Sequence, residues 1–178
     1  SIMTNLVISS SLNPKSRSRL LALIAFKTIK NLGESVDWLD LADHSIPFCD
    51  GDSTYKNSKV KELREKIQNA KGVIFAVPIY NYDVNAAAKN LIELTGDAWT
   101  NKVVGFLCAA GGKGSYMSVM SLANSLMLDF RCLIIPRFVY STGEDFKEGE
   151  VIDPKVRDRV SALAKEIDRI CIALSKQP

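Results

Sequence analysis

A serine-rich segment near the beginning of the chain has the composition of a phosphate-binding loop. Residues 9–18 contain five serines, one asparagine and two basic residues, directly before a stretch with helical spacing of apolar residues. The N-terminus of a helix presents unpaired N–H groups and about half a positive charge, which suits a phosphate group. The hydroxyls of Ser11, Ser16 and Ser18 can donate to phosphate oxygens. Arg17 can add a charge-assisted bond. The alternative, one serine capping the helix within a solvated loop, leaves the other serines unexplained.

A second segment, residues 78–85, has the composition of a surface for a planar heterocycle. It contains two tyrosines, two asparagines and a proline, and so combines flat apolar surface with amide and backbone hydrogen-bonding groups. Binding sites for small aromatic molecules use this mixture. An ordinary turn begun by Pro78, with the aromatic rings sealing the edge of the core, is an equally good interpretation of this segment alone.

A third segment, residues 109–115, is rich in glycine. Glycine has no Cβ and tolerates positive φ, so the backbone here can approach a ligand closely. Neither common phosphate motif fits the segment. A P-loop ending in the Gly112–Lys113 pair needs glycine where Leu107 stands and serine or threonine where Gly114 stands, and G-x-G-x-x-G starting at Gly112 needs glycine where Met117 stands. Taken alone, the segment is a weak signal that also fits a simple turn.

Side chains for covalent or metal chemistry are sparse. His44 is the single histidine, and it lies away from the three segments. The four cysteines are far apart in sequence, and Cys108 and Cys132 stand in apolar runs typical of a core. The sequence therefore predicts neither a metal site nor a catalytic side chain, and a bound cofactor is expected to carry the chemistry.

Apolar runs and helical periodicities alternate along the chain, which predicts how these segments are positioned. Continuous apolar strands separated by helices are typical of a parallel sheet covered on both faces. We therefore expect a three-layer α/β fold of the flavodoxin-like class, one domain over residues 1–178, with a five-stranded parallel sheet of order 2-1-3-4-5. The predicted strands are residues 4–9, 36–41, 72–77 (ended by Pro78), 102–109 and 132–135. The predicted helices are residues 16–32, 58–70, 86–95, 115–128 and 153–174.

The strand order brings the three segments together. In open α/β sheets, ligands bind outside the carboxyl ends of the strands, near the point where the strand order reverses. The three segments follow the first, third and fourth predicted strands. One composite site is therefore expected there.

Composition excludes several other classes of protein. The chain has 178 residues, 47% hydrophobic and 24% charged, as in an average soluble domain. The net charge of +3 is spread along the chain, so we expect neither nucleic-acid nor membrane binding. No apolar stretch approaches the roughly 20 residues of a membrane span or resembles a signal peptide, so a cytoplasmic location is expected.

Together the three segments resemble the NADPH-dependent FMN reductase family, flavodoxin-like proteins that include quinone, azo-dye and chromate reductases and flavin reductases. The first motif of that family, G-S-x-x-x-x-S-[RF]-[NS], is matched from Ser10 to Ser18, although Ser10 replaces its glycine. The second, P-[EIV]-Y-N followed by A-x-K-N, is matched at residues 78–81 and 87–90. The third, a small glycine-rich loop, is matched at residues 110–112.

This resemblance implies FMN as cofactor and a role for each matched residue. The FMN phosphate would be held by the first motif: Ser11, Ser16, Arg17 and Ser18, with Asn13 near it. The isoalloxazine ring would be lined by the second: Pro78, Ile79, Tyr80 and Asn81. Its pyrimidine edge would be passed by the backbone of the third: Ala110, Gly111 and Gly112.

The resemblance also implies the reaction. NADPH or NADH would stack on the exposed flavin face as substrate and give up a hydride, and a small-molecule electron acceptor would then take its place. The acceptor would be a quinone, an azo compound, a metal oxyanion or a free flavin. Members of the family form homodimers or homotetramers. A flavodoxin-type electron carrier without a nicotinamide substrate is the alternative, but flavodoxins are strongly acidic.

Overall fold

The computed structural model describes residues 4–176 and shows a twisted sheet with helices on both faces. Five parallel strand positions follow the order β2 (Val36–Asp40), β1 (Thr4–Ser9), β3 (Ala70–Tyr80), β5 (Val103–Ala109) and β6 (Leu133–Ile134). Counted in chain order, they are the second, first, third, fourth and fifth parallel strands, which confirms the predicted flavodoxin-like order. The ends of the predicted domain, residues 1–3 and 177–178, lie outside the described residues.

The helices and strands agree closely with the predicted segments in the first two-thirds of the chain. The helices are α1 (Arg17–Asn31), α2 (Ser58–Asn69), α3 (Ala86–Thr95), α4 (Met120–Phe130) and α5 (Pro154–Ser175). The strands are β1 (Thr4–Ser9), β2 (Val36–Asp40), β3 (Ala70–Tyr80), β4 (Asp83–Val84), β5 (Val103–Ala109), β6 (Leu133–Ile134), β7 (Val139–Ser141), β8 (Phe146–Lys147) and β9 (Glu150–Val151). Within residues 4–176, no helix combines the length and apolar character that a bilayer crossing requires.

The core lies on both faces of the sheet because consecutive residues in the middle of the central strands are apolar and buried. Alternate residues of β1 point to opposite faces, so Leu6 and Ile8 belong to the cluster under α2, α3 and α4. Val7 belongs to the cluster under α1 and α5. This burial on both faces fixes the strand register, and with it the position of the loops at the carboxyl ends.

The prediction that Pro78 ends the third strand is wrong. β3 continues through Pro78 to Tyr80, where it pairs with the two residues of β4 in an antiparallel hairpin. The carbonyl of Ala76 accepts a bond from Ser10, and Pro78, two residues later, faces the same edge of the strand. The pairing of β1 with β3 ends at Ala76, so the N–H that proline lacks costs no bond to β1.

The last third of the chain departs from the sequence prediction. Among the described residues the sheet has seven strands rather than five, because β4 is added and the fifth position is divided between β6 and β7. Both short strands pair with β5, β6 at Val103 and Val104 and β7 at residues 107–109, and residues 136–138 lie between the two. The fourth helix begins at Met120 rather than Ser115, since residues 113–120 form tight turns with i→i+3 hydrogen bonds. The β8–β9 hairpin was not predicted.

Gly72 and Gly105 allow α5 to approach the sheet closely, and Gly105 gives a prediction for stability. A Cβ at Gly105 would lie 2.8 Å from Cδ1 of Ile167 and 3.0 Å from Leu163. Gly105→Ala is therefore expected to lower the free energy of unfolding by about 1 to 3 kcal/mol in urea titrations. Gly114→Ala is the control, because its Cβ would meet no atom within 4 Å. Equal stability of the two variants would contradict the close packing of α5.

Candidate functional site

One open cleft of about 630 Å³ lies at the carboxyl ends of β1, β3 and β5, where the strand order reverses. All three segments chosen from the sequence contribute to it. Eleven of the twelve predicted residues line it, and Lys15 and Ala109 line it as well. The predicted residues in the lining are Ser11, Asn13, Ser16, Arg17, Ser18, Pro78, Ile79, Tyr80, Asn81, Ala110 and Gly111.

The first segment folds into a compact loop because its own side chains bond its backbone. The Oγ atom of Ser11 accepts from the N–H of Asn13 at 3.2 Å, and the Oδ1 atom of Asn13 accepts from the N–H of Lys15 at 2.9 Å. The carbonyl of Asn13 accepts from the N–H of Ser16 at 3.1 Å. Asn13 therefore shapes the loop with its side-chain amide oxygen and its backbone carbonyl oxygen.

The loop leads directly into the N-terminus of α1. The Oγ atom of Ser16 accepts from the N–H of Arg19 at 3.1 Å and lies 3.0 Å from the Oγ atom of Ser18. Ser16 is therefore the N-cap, as in the simpler interpretation of the segment. The N–H groups of Arg17 and Ser18 have no acceptor within the helix, because only later residues reach a carbonyl of the same helix. They are available to a ligand.

The charges at this helix end are arranged for an anion. The first turn of α1 contains no acidic residue and carries both Arg17 and Arg19. Basic residues at a helix N-terminus repel the positive end of the helix dipole and cost stability. The cleft adds the ammonium group of Lys15, and no acidic side chain is among its lining residues within the described chain. A phosphate placed there would relieve this repulsion.

The two arginines of α1 differ in their partners. The guanidinium of Arg19 donates from Nε to a carboxylate oxygen of Asp40 at 2.5 Å. It also donates to the carbonyls of Ser11 and Asn13 at 3.0 Å. Arg19 thus ties the loop to the end of β2. Arg17, in contrast, has no carboxylate within 4.0 Å in the described part of the chain.

The second segment is a tight hairpin rather than an open loop. Asn81 and Tyr82, at its tip, have φ values of 51° and 66°. Positive φ at both central residues is the geometry of a type I′ hairpin turn, and it is costly for a tyrosine. The turn leaves the rings of Tyr80 and Tyr82 half exposed or more. Non-glycine residues in this conformation concentrate at functional sites.

A buried amide joins the first and second segments. The Nδ2 atom of Asn85 donates to the carbonyl of Ser10 at 2.8 Å, and its Oδ1 atom accepts from the Oγ atom of Ser10 at 3.1 Å. Both residues are buried. This reciprocal pair fixes the distance between two walls of the cleft. Sequence reasoning missed it, because the two residues are 75 positions apart.

The third segment places Ala110 and Gly111 on the cleft, but Gly112 lies outside its lining. The carbonyl of Gly112 accepts a hydrogen bond from the hydroxyl of Tyr140. The glycines at 111 and 112 do not have positive φ, so conformational freedom is not the reason for their presence. A Cβ at either position would meet no atom of the described chain within 4 Å, so both glycines border open space.

Ser16 gives a prediction that separates helix capping from ligand binding. Ser16→Ala is expected to lower the free energy of unfolding by about 1 kcal/mol and to weaken FMN binding as well. Asn57, which caps α2 by accepting from Lys59 and Val60, is the matched control. Asn57→Ala should lower stability similarly and leave FMN affinity unchanged. Equal FMN affinity in both variants, measured by calorimetry, would contradict a binding role for Ser16.

Taken together, the fold and the cleft define a flavodoxin-like protein with a cationic site at the topological switch point. Comparison with known proteins then assigns the family. The family model described as NADPH-dependent FMN reductase matches residues 3–147. The chain therefore belongs to the NADPH-dependent FMN reductase family, and it is an oxidoreductase that uses FMN and a reduced nicotinamide nucleotide.

Individual relatives agree with this assignment. An NAD(P)H-dependent FAD/FMN reductase of Geobacillus thermodenitrificans is 32% identical over 136 residues, which are 74% of this chain and 73% of that protein. An NAD(P)H:quinone oxidoreductase of Solanum tuberosum is 24% identical over 180 residues, which are 94% of this chain and 92% of that protein. The structure of an apo NADH:FMN oxidoreductase superposes with a TM-score of 0.79 at 19% identity. The match covers 99% of this chain and 92% of that one, and it shows that the two share a fold.

Proposed function

We propose that this chain transfers a hydride from NADPH or NADH, through FMN held in the cleft, to a small-molecule electron acceptor. The observation that carries the proposal is the convergence of three distant segments on one cationic cleft. Quinones, azo compounds, metal oxyanions and free flavin are the acceptor classes in question. The known relatives reduce such compounds, as their names state for flavins and quinones.

The start of α1 fits the phosphate of FMN. Two N–H groups at the helix end and the hydroxyls of Ser11, Ser16 and Ser18 can donate to its oxygens. The guanidinium of Arg17 adds a full positive charge that no carboxylate of the described chain neutralises. Asn13 holds the loop in the required shape through its hydrogen bonds to the backbone.

The other two segments fit the flavin ring. Pro78 and Ile79 are buried parts of the cleft wall, whereas Tyr80 and Asn81 are exposed at its rim. On the opposite side, the backbone at Ala110 and Gly111 can approach the ring edge, because no side chain stands above the glycine. Gly112, which follows these two residues, accepts a hydrogen bond from the Tyr140 hydroxyl through its carbonyl.

When bound, FMN supplies the hydride chemistry that the side chains themselves lack. The lining contains no histidine, cysteine, aspartate or glutamate among the described residues, and its titratable side chains are those of Lys15, Arg17 and Tyr80. Its contribution is to bind and orient the flavin and to leave one face open. The N–H of Gly111 can also stabilise negative charge at the ring edge, whereas the N–H of Ala110 already donates to Ser141. Nicotinamide and acceptor would use the open face in turn.

We further propose that the chain acts as a homodimer or homotetramer. Large apolar side chains are strongly exposed, including Phe48 and Leu128, which are 81% and 82% accessible, and Tyr82 at the cleft rim. Large apolar side chains with this exposure are a recurrent feature of surfaces that a partner covers. Light scattering of the purified protein would show twice or four times the chain mass of 19.6 kDa, whereas a mass of one chain would contradict the proposal.

Anaerobic reduction tests the proposed function. NADPH or NADH alone should bleach the flavin absorbance of the protein–FMN complex. Reoxidation with quinone, azo dye, chromate or free FMN then ranks the acceptors. A flavodoxin-type carrier would bind FMN but bleach only with a separate reductase. That outcome would replace the proposed function with the alternative.

A further inference from the structure

Arg17 contacts an aromatic ring, that of Phe146, whereas Arg19 contacts a carboxylate, that of Asp40. The Cζ atom of Arg17 lies 5.8 Å from the centroid of the Phe146 ring, within the range of a cation–π contact. When a guanidinium stacks on an aromatic ring, the N–H groups at its edge stay free to bond a planar or tetrahedral oxyanion. The guanidinium is therefore oriented without being neutralised.

Gly143 provides the space for this arrangement. A Cβ at this position would lie 3.1 Å from the Nη1 atom of Arg17, tighter than most such contacts. The φ angle of Gly143 is not positive, so alanine can adopt the same backbone conformation. A Cβ at this position would therefore displace the Arg17 guanidinium by a few tenths of an ångström without straining the backbone.

The segment that carries Gly143 and Phe146 is hydrogen-bonded to the glycine-rich third segment of the cleft. The carbonyl of Ser141 accepts from the N–H of Ala110 at 2.9 Å, next to the glycine-rich segment. The turn that follows is held by the N–H of Thr142, which donates to the Oδ2 atom of Asp145 at 2.8 Å. Phe146 then enters the β8–β9 hairpin. Arg17 is therefore supported by an element anchored beside the predicted ring site.

We propose that Gly143 and Phe146, here named the Arg17 platform, are positioning residues that set the selectivity of the cleft for FMN over unphosphorylated riboflavin. The inference rests on the proposed function, since it assigns a role toward the FMN phosphate. An exposed arginine loses side-chain freedom when it binds an anion. A platform that already restricts the guanidinium reduces this cost, and the gain is specific to the phosphorylated ligand.

The test compares two ligands that differ only in the phosphate. Dissociation constants of FMN and riboflavin are measured by flavin fluorescence quenching with the flavin-free full chain. Phe146→Leu should weaken FMN binding roughly two- to fivefold, the range of an exposed cation–π contact, and leave riboflavin unchanged. Phe146→Tyr keeps the ring and should restore the FMN value. Gly143→Ala should weaken FMN in the same direction, because it displaces the Nη1 atom without strain in the backbone.

A matched control exists on the same helix. Phe26 lies 5.9 Å from the Nζ atom of Lys30, a second cation–π contact remote from the cleft. Phe26→Leu removes a comparable aromatic contact and should leave both flavin affinities unchanged. A merely structural loss would lower the unfolding midpoint in both leucine variants, but it would not change the ratio of FMN to riboflavin affinity.

A double-mutant cycle completes the test. In an Arg17→Ala background, Phe146→Leu should cause no further change in the affinity ratio, since the platform acts only through Arg17. The proposal is overturned if Phe146→Leu weakens both flavins equally, if its effect persists without Arg17, or if neither platform variant changes the ratio. Failure of the unmodified chain to bind FMN at all is a distinct result that would overturn the proposed function, and the platform with it.

Discussion

Arg17→Ala is expected to weaken FMN binding about 10- to 100-fold, the range of a hydrogen bond to a charged group. Riboflavin affinity should not change, because the guanidinium would contact only the phosphate. The guanidinium has no carboxylate partner in the described chain, so its removal leaves no buried charge unpaired and should cost little stability. Calorimetry at two salt concentrations measures the effect. The unmodified chain should lose FMN affinity with salt more steeply than the variant.

The control for Arg17→Ala removes an arginine of similar exposure elsewhere. Arg169 on α5 donates to Glu166 from a side chain that is 69% exposed, far from the lining of the cleft. Arg169→Ala should leave both flavin affinities unchanged. Equal losses of FMN and riboflavin affinity in Arg17→Ala would show that Arg17 acts on the ring or on the fold rather than on the phosphate.

Asp40→Ala is expected to lower the free energy of unfolding by about 3 kcal/mol, because it leaves the largely buried Arg19 guanidinium without its counter-ion. The Asp40 side chain is only 9% exposed and also accepts from the N–H of Ala42 at 3.0 Å. Since Arg19 holds two carbonyls of the first loop, FMN affinity should fall together with stability. Urea titration and calorimetry on the same preparation measure the two effects.

Asp97→Ala is the matched control for this ion pair. Asp97 also bonds an arginine, Arg64, but its side chain is 77% exposed. Exposed pairs contribute about 0 to 1 kcal/mol, so this variant should remain close to the unmodified protein in stability and FMN affinity. Similar stability losses in Asp40→Ala and Asp97→Ala would contradict the role of Arg19 in joining the first loop to the end of β2.

The parts of the site that follow directly after apolar strands were predictable from the sequence. Ser11 to Ser18 form one contiguous loop, and the rule for strand order brings this loop beside residues 78–81 and 110–111 without any knowledge of side-chain contacts. The order of the parallel strands was predictable for the same reason, since right-handed crossovers leave few arrangements.

The ion pair and hydrogen bonds that hold the cleft segments in place were not predictable, because each joins residues that are distant in the chain. Arg19 pairs with Asp40 and Asn85 pairs with Ser10, and nothing in the local pattern distinguishes these residues from other polar ones. Asp40 does end a strand next to β1, which is the one signal that could have suggested it. Phe146 carried no signal, because the β8–β9 hairpin was itself unpredicted.

The error at Pro78 had a local cause. Proline marks the end of a strand in most sequences, but here its missing N–H faces an edge that β1 has already left. Gly112 was predicted as part of a glycine run and lies outside the lining of the cleft, so its contact with a flavin stays a prediction.

The central claim is that a phosphate bound at the start of α1 anchors a flavin ring between the second and third segments. A crystal structure grown with excess FMN tests it most directly. We expect the phosphate within hydrogen-bonding distance of Ser16, Ser18 and the Arg17 guanidinium, and the ring between residues 78–81 and 110–111. A phosphate elsewhere on the chain, or a ring bound in another cavity with this cleft empty, would contradict the account.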